Sequence, residues 1–286
     1  MSTADLVSRL GPHLINHSPP GGEKFQSVPE AALREMADRE GCSLKEAMIR
    51  VLGAGIWPER FRPQRGSYSV AEQARLLGAT VAVIGLGGLG GAVCLYLARV
   101  GVGGLIVCDG DCFEESNLNR QQLSNLGRLG REKVRCAVEE IERINPAVEV
   151  RPWPVRADEN NLPAILEPAQ VVVDCLDNLP SRYLVEKAAR QRGIPFIHGA
   201  VAGREGLLMT VFPDDPGLVD LYGPTAARKE DSAESFVGVP TVTPAMLAGL
   251  QAGEVVNILL GRPAAARRKL IHLDLSIPSI EHNELA

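Results

Sequence analysis

The clearest indication of the fold is at residues 81–90, which read Val81-Ala82-Val83-Ile84-Gly85-Leu86-Gly87-Gly88-Leu89-Gly90. The four apolar residues at the start are typical of a parallel strand that is covered on both faces. The rest fits G-x-G-x-x-G and leads into an apolar helix that ends near Gly101. Such glycines let the backbone turn tightly and approach a phosphate, and the helix N-terminus adds free amide donors. We therefore predict a nucleotide site at these four glycines, namely Gly85, Gly87, Gly88 and Gly90; a glycine-rich packing turn is the alternative.

Strand and helix patterns alternate along the chain after this turn. The predicted strands are residues 105–108, 148–150, 171–174, 194–197 and 207–212. The predicted helices are residues 131–144, 181–191 and 243–260, with Thr243 as the cap of the last one. Repeated β–α alternation is typical of a doubly wound sheet. The fold class that we predict is α/β, Rossmann-like, with a mainly parallel sheet.

The first 56 residues form a separate compositional unit. A Pro/Gly turn at residues 19–22 precedes two amphipathic stretches, residues 28–39 and 43–52. Pro29 stands at a helix-start position, and Ser43 followed by Glu46 has the spacing of a capping box. We expect residues 1–56 to be a small helical N-terminal appendage and residues 57–286 to be the Rossmann-like domain.

Composition limits the partners and the compartment. The 286 residues carry a formal net charge of −5, which gives no electrostatic footprint for binding nucleic acid. No apolar run approaches the roughly 20 residues of a membrane helix, and the N-terminus has no basic-then-apolar signal pattern. The six cysteines are dispersed, without a C-x-x-C pair. We expect free thiols, no zinc, no membrane contact and a cytoplasmic protein.

Asp109 directly follows the second strand, about 20 residues beyond the glycines, where an acidic side chain can accept hydrogen bonds from ribose hydroxyls. The alternative is that Asp109 caps a turn together with Gly110 and Asp111. A glycine fingerprint and an acidic residue also occur in NAD-dependent dehydrogenases, so these residues alone fit an oxidoreductase equally well. The next segment separates the two interpretations.

The polar stretch after this strand reads Asp109-Gly110-Asp111-Cys112-Phe113-Glu114-Glu115-Ser116-Asn117-Leu118-Asn119-Arg120-Gln121. It strongly resembles the D-x-D…S-N-L-x-R-Q signature of the ubiquitin-activating-enzyme-like family, the MoeB/ThiF/HesA group. Residues 130–134 are similar to the G-x-x-K-V of this family, and residues 174–178 are similar to its D-x-x-D-N. The resemblance extends over about residues 60–261. It implies an ATP-binding domain that adenylates a carboxylate.

The resemblance also implies a role for each matching residue. Gly88 would face phosphate, and Asp109 would bind the ribose, with Asp111 in the same nucleotide-binding set. The residues that would line or contact the triphosphate are Asn117, Arg120, Gln121 and Lys133. Asp177 would hold magnesium, with Asn178 beside it. The implied catalytic residues are Arg120, Lys133 and Asp177.

The three implied catalytic residues suit the chemistry. When a carboxylate attacks the α-phosphate of ATP, negative charge accumulates on the phosphoryl oxygens and on the departing pyrophosphate. Arg120 can grip two oxygens with its fork, Lys133 supplies a compact charge, and Asp177 is a hard oxygen ligand for magnesium. Taken singly, the two cations also fit solvated surface charges, and Asp177 fits a helix cap. Their common position beyond predicted strand ends favours a site.

The chain departs from the family pattern in several places. Many relatives carry two C-x-x-C pairs that hold a structural zinc. Here residues 220–223 stand where the first pair is expected, and the tail after Arg262 has no cysteine, so we expect packing or dimer contacts to hold this region. The long turn-rich segment 213–238 contains no cysteine for a thioester relay. Residues 60–64 imperfectly resemble an upstream R-Y-x-R-Q stretch, from which Arg60 or Arg62 is expected to reach a neighbouring subunit's ATP.

Two side chains near the predicted site have more than one interpretation. Cys112 is a bystander thiol or a reactive one, and His198 is a satisfied buried imidazole or a polar lining of the crevice. The leading hypothesis for the whole chain is an ATP-dependent adenylyltransferase that activates the C-terminal carboxylate of a ubiquitin-like sulfur-carrier protein ending in Gly-Gly. ATP and magnesium are the expected cofactors, and a homodimer is the expected assembly. The alternatives are adenylation of another carboxylate or a peptide terminus, a nucleotide-binding scaffold that has lost catalysis, and an NAD-dependent oxidoreductase.

Overall fold

The computed structural model describes residues 10–224 and 237–284. Its N-terminal part contains β1 (Ile15–His17), β2 (Phe25–Val28), α1 (Glu30–Glu40), α2 (Leu44–Gly53) and β3 (Ile56–Pro58). β1 is antiparallel to β2, and β2 is parallel to β3. Both predicted helices are present, but the description of this part as helical was incomplete because it also holds a three-stranded sheet. Strands of three or four residues are too short to show an alternating pattern in the sequence.

The predicted capping box of α2 is confirmed. Ser43 Oγ accepts a hydrogen bond from the Glu46 N–H at 3.1 Å, and Glu46 Oε2 accepts one from the Ser43 N–H at 2.7 Å. Helix α1 begins later than predicted, because Val28 pairs in β2 and Pro29 is the N-cap.

The apolar core of the N-terminal part continues into the rest of the chain. Phe61, Leu77 and Ala147 belong to the same buried cluster as Leu33 and Trp57. The division of the chain at residue 56 stays a prediction.

After a 3-10 turn at Glu59–Gln64, the remaining elements form the α/β domain. They are α3 (Val70–Gly78), β4 (Thr80–Ile84), α4 (Gly88–Val100), β5 (Gly104–Cys108), α5 (Lys133–Ile144), β6 (Glu149–Trp153), α6 (Leu162–Leu166), β7 (Val171–Asp174), α7 (Leu179–Arg192), β8 (Phe196–Ala202), β9 (Glu205–Val211), α8 (Leu218–Tyr222), α9 (Val242–Leu260), β10 (Lys269–Asp274) and β11 (Ser279–Glu284). Within the described ranges, eight strands form one sheet in the order β11-β10-β9-β8-β7-β4-β5-β6. Strands β4 to β8 are parallel, whereas β9, β10 and β11 are antiparallel to their neighbours. The predicted Rossmann-like, mainly parallel sheet is confirmed.

Helices cover both faces of this sheet. In β4, Val81 and Val83 join the apolar cluster that includes α4, α5 and α9, whereas Ala82 and Ile84 join the cluster that includes α6, α7 and α8. Successive side chains of a strand point to opposite faces, so a strand buried on both sides must be apolar throughout. This burial explains the continuous apolar runs in the sequence.

Helix α9 differs from the predicted one. Thr241 occupies its N-cap position, so the assignment of Thr243 as the cap was wrong; the Thr243 hydroxyl instead donates to the Gly203 carbonyl at 3.0 Å. By length and hydropathy α9 also qualifies as a membrane span, although no such run was expected. In this structure 56% of that stretch is buried, and the helix packs against α4 and β8. Its apolar character is that of a core helix in this domain.

Helices α3, α6 and α8 and the hairpin of β10 and β11 were not predicted from the sequence. Helix α3 opens with a capping box of Ser69 and Glu72, a signal that the sequence does contain. Helices α6 and α8 have five residues each, too few for a helical period to be recognised. Helix α8 lies in the segment 213–238, of which residues 225–236 are outside the described residues.

Ion pairs hold the C-terminal tail against the segment that follows β9. The Asp215 side chain is 1% exposed, and its two oxygens accept hydrogen bonds from Arg267 Nε at 2.7 Å and from Arg268 Nε at 2.8 Å. The Arg267 guanidinium also lies 4.3 Å from the centroid of the Phe212 ring. The bond from Arg267 lowers the pKa of Asp215 to about 2. We call these three charged residues the Asp215 clasp; the expectation that packing or dimer contacts hold this region was incomplete.

Candidate active site

A cleft of about 310 Å³ opens at the carboxyl ends of β4, β5 and β7. The chain runs outward from β4 through β5 to β6 on one side and returns to β7 on the other, so β4 marks the point where the strand order reverses. Ligands of open α/β sheets bind at such a point. The volume is within the range of small-molecule pockets. The predicted site residues that line the cleft are Gly85, Gly87, Gly88, Asp109, Asp111, Arg120, Gln121, Lys133, Asp177 and Asn178.

The glycine turn is shaped by two close backbone approaches. Gly85 has a φ of +90°, and a Cβ there would lie 2.6 Å from the Cys175 carbonyl oxygen. At Gly90 a Cβ would lie 1.8 Å from the Gly85 carbonyl oxygen. Gly90 is not among the residues that line the cleft, and its small size serves the contact between α4 and the turn. Both positions therefore require glycine for steric reasons.

Helix α4 begins in the wall of the cleft. Gly87 is its N-cap and Gly88 its first residue, and both line the cleft. A Cβ at Gly88 would come within 3.4 Å of Arg120 Cγ and 3.3 Å of Pro244 Cβ, so the absence of a side chain leaves room between these neighbours. The first amides of a helix lack partners inside the helix and attract anions. The arrangement suits a phosphate beside Arg120.

The Asp109 carboxylate accepts hydrogen bonds from the glycine turn and from its own turn. Its Oδ2 accepts from the Leu86 N–H at 2.7 Å, and its Oδ1 accepts from the Asp111 N–H at 2.8 Å. The turn-capping alternative is thus observed, while the carboxylate also lines the cleft. Burial raises the pKa of Asp109, and the nearby Lys133 ammonium opposes that shift. Lone pairs that remain on the carboxylate can accept from ribose hydroxyls.

Lys133 stands between the two carboxylates of the D-x-D motif. Its Nζ lies 3.3 Å from Asp111 Oδ2 and 3.8 Å from Asp109 Oδ2, and the residue is 6% exposed. A solvated surface charge, the simpler alternative, is therefore wrong for Lys133. As the first residue of α5, it brings a buried cation to the cleft from a different element than Arg120.

Arg120 and Gln121 form the part of the cleft next to the glycine turn. Arg120 Nη1 donates to the Ser116 carbonyl at 3.0 Å and to Asn119 Oδ1 at 2.9 Å. Gln121 is 6% exposed, and its Oε1 has no hydrogen-bond partner in the described part of the chain. Buried polar atoms are normally paired, so an orphaned amide in a cleft wall indicates a missing polar ligand or water.

Asp177 and Asn178 approach the cleft from the end of β7. Asn178 Oδ1 accepts from the Ser181 N–H at 3.0 Å and caps α7, so the cap is Asn178 rather than Asp177. Asp177 is exposed, and its Oδ1 accepts from Asn178 Nδ2 at 3.2 Å. In residues 10–224 and 237–284 no group of three or more His, Cys, Asp or Glu side chains could hold a metal. A single carboxylate in an open cleft is the donor that magnesium shares with substrate phosphates.

Asn117 does not line the cleft. Its Oδ1 accepts from the Glu114 N–H at 3.1 Å, and its main-chain carbonyl accepts from the Gln121 N–H at 2.9 Å. Asn117 thus shapes the turn that carries Arg120 and Gln121 in this structure. The ligand roles of all the predicted site residues stay predictions.

The sequence interpretation missed the segment that follows β6. Val155, Arg156 and Ala157 line the cleft, and Arg156 Nη2 lies 3.5 Å from Asp111 Oδ1. A Cβ at Gly110 would lie 2.9 Å from Arg156, so this glycine allows the segment to pass close to the D-x-D turn. The available signal was the position beyond the end of a parallel strand. Val239 and Pro244, near the start of α9, close another side of the cleft.

Three secondary expectations concern Arg60 or Arg62, Cys112 and His198. Arg60 donates to Glu30 and to the Ile144 carbonyl, and Arg62 donates to Glu59; the reach of either arginine to a neighbouring subunit's ATP stays a prediction. Cys112 is exposed but does not line the cleft. The buried interpretation of His198 is confirmed, because its ring is 0% exposed and both nitrogens have partners.

Fold and site together define a nucleotide-binding α/β domain of the Rossmann type. The chain belongs to the ThiF family, whose model matches residues 61–284. This membership confirms the predicted family and makes the chain an adenylyltransferase of the ubiquitin-activating-like class.

Curated relatives agree with this assignment. The chain is 38% identical over 204 residues to the SAMP-activating enzyme E1 of Haloferax volcanii, covering 71% of this chain and 75% of the relative. It is 38% identical over 199 residues to the sulfur carrier protein adenylyltransferase of Thermus thermophilus, covering 66% and 72%. Protein HesA of Leptolyngbya boryana is 30% identical over 226 residues, covering 74% and 82%.

Solved structures show the same fold. The structure of PaaA aligns with a TM-score of 0.65 at 22% identity and covers 88% of this chain and 74% of that one. The structure of Escherichia coli MccB with ATP aligns with a TM-score of 0.67 at 19% identity, covering 80% and 71%.

Proposed function

We propose that this chain uses ATP and magnesium to adenylate the C-terminal carboxylate of a ubiquitin-like sulfur-carrier protein that ends in Gly-Gly. The observation that carries the proposal is one cleft in which Arg120, Lys133 and Asp177 converge from three elements around the glycine turn. The names of the relatives support the substrate class, because they include a SAMP-activating enzyme and a sulfur carrier protein adenylyltransferase.

The reaction requires charge stabilisation more than covalent chemistry. The carrier's carboxylate attacks the α-phosphorus, a bond to the carboxylate oxygen forms, and the bond to pyrophosphate breaks. Negative charge grows on the phosphoryl oxygens as this happens. Arg120 and the first amides of α4 lie together at the glycine turn, where a phosphate group would meet them. The Arg120 guanidinium can grip two of its oxygens.

Lys133, the first residue of α5, supplies the second cation of the cleft. Its ammonium lies between Asp109 and Asp111, so a ribose held by Asp109 would bring the α-phosphate within reach of Lys133. Because Lys133 is buried, its charge acts through little water, which strengthens its effect on a phosphate. The nucleotide would then span the distance between the D-x-D turn and the glycine turn.

Asp177 is the residue that would hold magnesium. Its carboxylate is exposed in the cleft and accepts a hydrogen bond from the neighbouring Asn178 Nδ2 at 3.2 Å. Magnesium held by Asp177 would supply positive charge that stabilises the negative phosphate oxygens. The Gln121 amide oxygen, which has no hydrogen-bond partner in the described part of the chain, lines the same cleft and also fits a polar ligand there.

Assembly and compartment are extensions of the same proposal. We propose a cytoplasmic homodimer, on the basis of the family resemblance and of free cysteines at Cys42, Cys94, Cys108, Cys112, Cys136 and Cys175. Adenylation of another carboxylate or of a peptide terminus would use the same nucleotide residues, so the carrier must be identified by experiment.

The experiment is ATP–pyrophosphate exchange with candidate small proteins that end in Gly-Gly. We expect exchange with one carrier and none with the same carrier lacking its last glycine or carrying a C-terminal amide. Equal exchange with the C-terminal amide would refute activation of the terminal carboxylate, and equal exchange with the truncated carrier would refute recognition of a Gly-Gly terminus. Exchange with a short peptide but with no carrier would instead support the peptide-terminus alternative.

A further inference from the structure

A buried hydrogen-bond network contacts the base of the loop of residues 175–178, which carries Asp177 and which we call the Asp177 loop. His198 Nδ1 lies 2.7 Å from Asp174 Oδ2, and both side chains are 0% exposed. His198 Nε2 lies 2.9 Å from the Tyr222 hydroxyl. The network therefore connects the end of β7, through β8, to helix α8, and none of its three side chains lines the cleft.

Hydrogen bonding fixes the protonation of this network. A carboxylate can only accept, so His198 Nδ1 donates to Asp174. In a neutral ring Nε2 then accepts, and the Tyr222 hydroxyl donates to it. Burial lowers the pKa of His198, and burial raises the pKa of Tyr222, so both groups are in the states that this pattern needs.

Asp174 links this network to the Asp177 loop through hydrogen bonds. Its Oδ1 accepts from the Leu176 N–H at 3.0 Å, and the Leu176 carbonyl accepts from Arg182 at 2.5 Å. The Asp174 carbonyl accepts from Gln251 of α9 at 2.9 Å. The residue that precedes Asp177 is thus held at both its N–H and its carbonyl.

Tyr183 provides a second, separate anchor for α8. Its hydroxyl lies 3.0 Å from the carbonyls of Leu218 and Gly223, at the two ends of the same short helix. This contact restrains α8 without touching Asp174 or His198. A comparison of variants at Tyr183 and Tyr222 can therefore distinguish the anchoring of α8 from the connection to the Asp177 loop.

We propose that His198 and Tyr222 are positioning residues that hold the Asp177 loop in its working geometry through Asp174. The inference rests on the proposed function, since it assigns these residues a task in adenylation. Buried residues that hydrogen-bond to a loop set the orientation of the reactive group on that loop. Small errors in that orientation lower the reaction rate strongly. The Tyr222 hydroxyl affects turnover through His198 and Asp174. Nucleotide binding depends instead on the glycine turn and the D-x-D turn.

The test compares Tyr222→Phe with Tyr183→Phe, each of which removes one hydroxyl that contacts or anchors α8. In ATP–pyrophosphate exchange with the carrier, we expect Tyr222→Phe to lower kcat about tenfold with the KM for ATP within about twofold of wild type. Tyr183→Phe should retain wild-type kcat. His198→Asn, which keeps a donor for Asp174 but loses the Tyr222 contact, should also lower kcat, and the double variant should be no worse than Tyr222→Phe, which already removes the His198–Tyr222 bond together with the bond between Tyr222 and Arg182.

Amide hydrogen exchange of residues 175–178 gives a readout that needs no activity. We expect exchange at Leu176 to be about tenfold faster in Tyr222→Phe and unchanged in Tyr183→Phe. Equal effects of the two tyrosine variants on kcat and on this exchange, or no effect of Tyr222→Phe on either, would overturn the inference. Faster exchange in Tyr222→Phe combined with an inactive wild type would refute the proposed function and leave the positioning role standing.

Discussion

Replacing Asp215 by Asn tests how the tail is held without cysteines. The carboxylate accepts from Arg267 at 2.7 Å and from Arg268 at 2.8 Å, and its pKa is about 2 against an ordinary 3.8. At about 1.36 kcal/mol per pKa unit, that gap corresponds to about 2.5 kcal/mol of stability. The two arginine side chains are 45% and 63% exposed, so solvent screens part of it, and about 1–2 kcal/mol is the realistic loss.

The sign of the pH dependence follows from the lowered pKa of Asp215. The stabilisation is complete well above the pKa of the unfolded carboxyl, near 4, and it is lost as pH falls towards about 2. At neutral pH, Asp215→Asn should lower the Tm by about 2–8 °C, since each kcal/mol shifts the Tm of a chain of this size by about 2–4 °C. The gap to wild type should shrink as the pH is lowered from 5 to 3.

Thermal unfolding by circular dichroism gives the result, with Asp214→Asn as the matched control. Asp214 is the exposed neighbour of Asp215 and should tolerate the change. EDTA should leave the Tm of the wild type unchanged, and elemental analysis should find no stoichiometric zinc. Equal Tm values for the two variants, or a Tm that falls on chelation, would refute the clasp as the element that holds the tail.

Three further predictions concern the cleft and the glycine turn beside it. Arg120→Ala should lower the rate of adenylation about 10²-fold or more and keep the wild-type Tm, because the guanidinium stabilises transition-state charge. The control is Arg135→Ala at an exposed arginine, which should keep full exchange activity. With magnesium present, ATP should raise the Tm and NAD should not, because the cations of the cleft require phosphates; a shift with NAD alone would restore the oxidoreductase interpretation. Gly90→Ala should lower the free energy of unfolding, measured with denaturant, by about 3 kcal/mol or more, because the new Cβ would lie 1.8 Å from a carbonyl oxygen. The control Gly249→Ala places its Cβ in open space and should be neutral or stabilising.

Much of the site was predictable because it lies where parallel strands end. The turn at Gly85, the acidic residue after β5 and Asp177 after β7 each follow a buried apolar run, and such runs are visible in sequence. The polar signature then placed Arg120 and Lys133. The same rule applied to β6 would have found Arg156, but the short run at residues 148–150 was ended too early, and β6 extends to Trp153.

Other features depend on contacts between distant residues, which one sequence does not reveal. Asp215 meets arginines about fifty positions away, and His198 meets Tyr222 from a helix of five residues. The strands β1 to β3 pair through their backbones and have almost no side-chain pattern. Asn117 matched the family signature as a ligand, yet its side chain bonds to the turn itself.

The most direct test of adenylation is to observe the product. The carrier, ATP and magnesium are incubated with the chain, and the intact mass of the carrier is measured at once, before the acyl-adenylate hydrolyses. We predict a carrier species heavier by one AMP with the wild type and its loss with Asp177→Ala, whose substitution removes the proposed magnesium ligand at an exposed position. A carrier–AMP species that forms equally with Asp177→Ala, or none with any Gly-Gly carrier although ATP binds, would contradict the account.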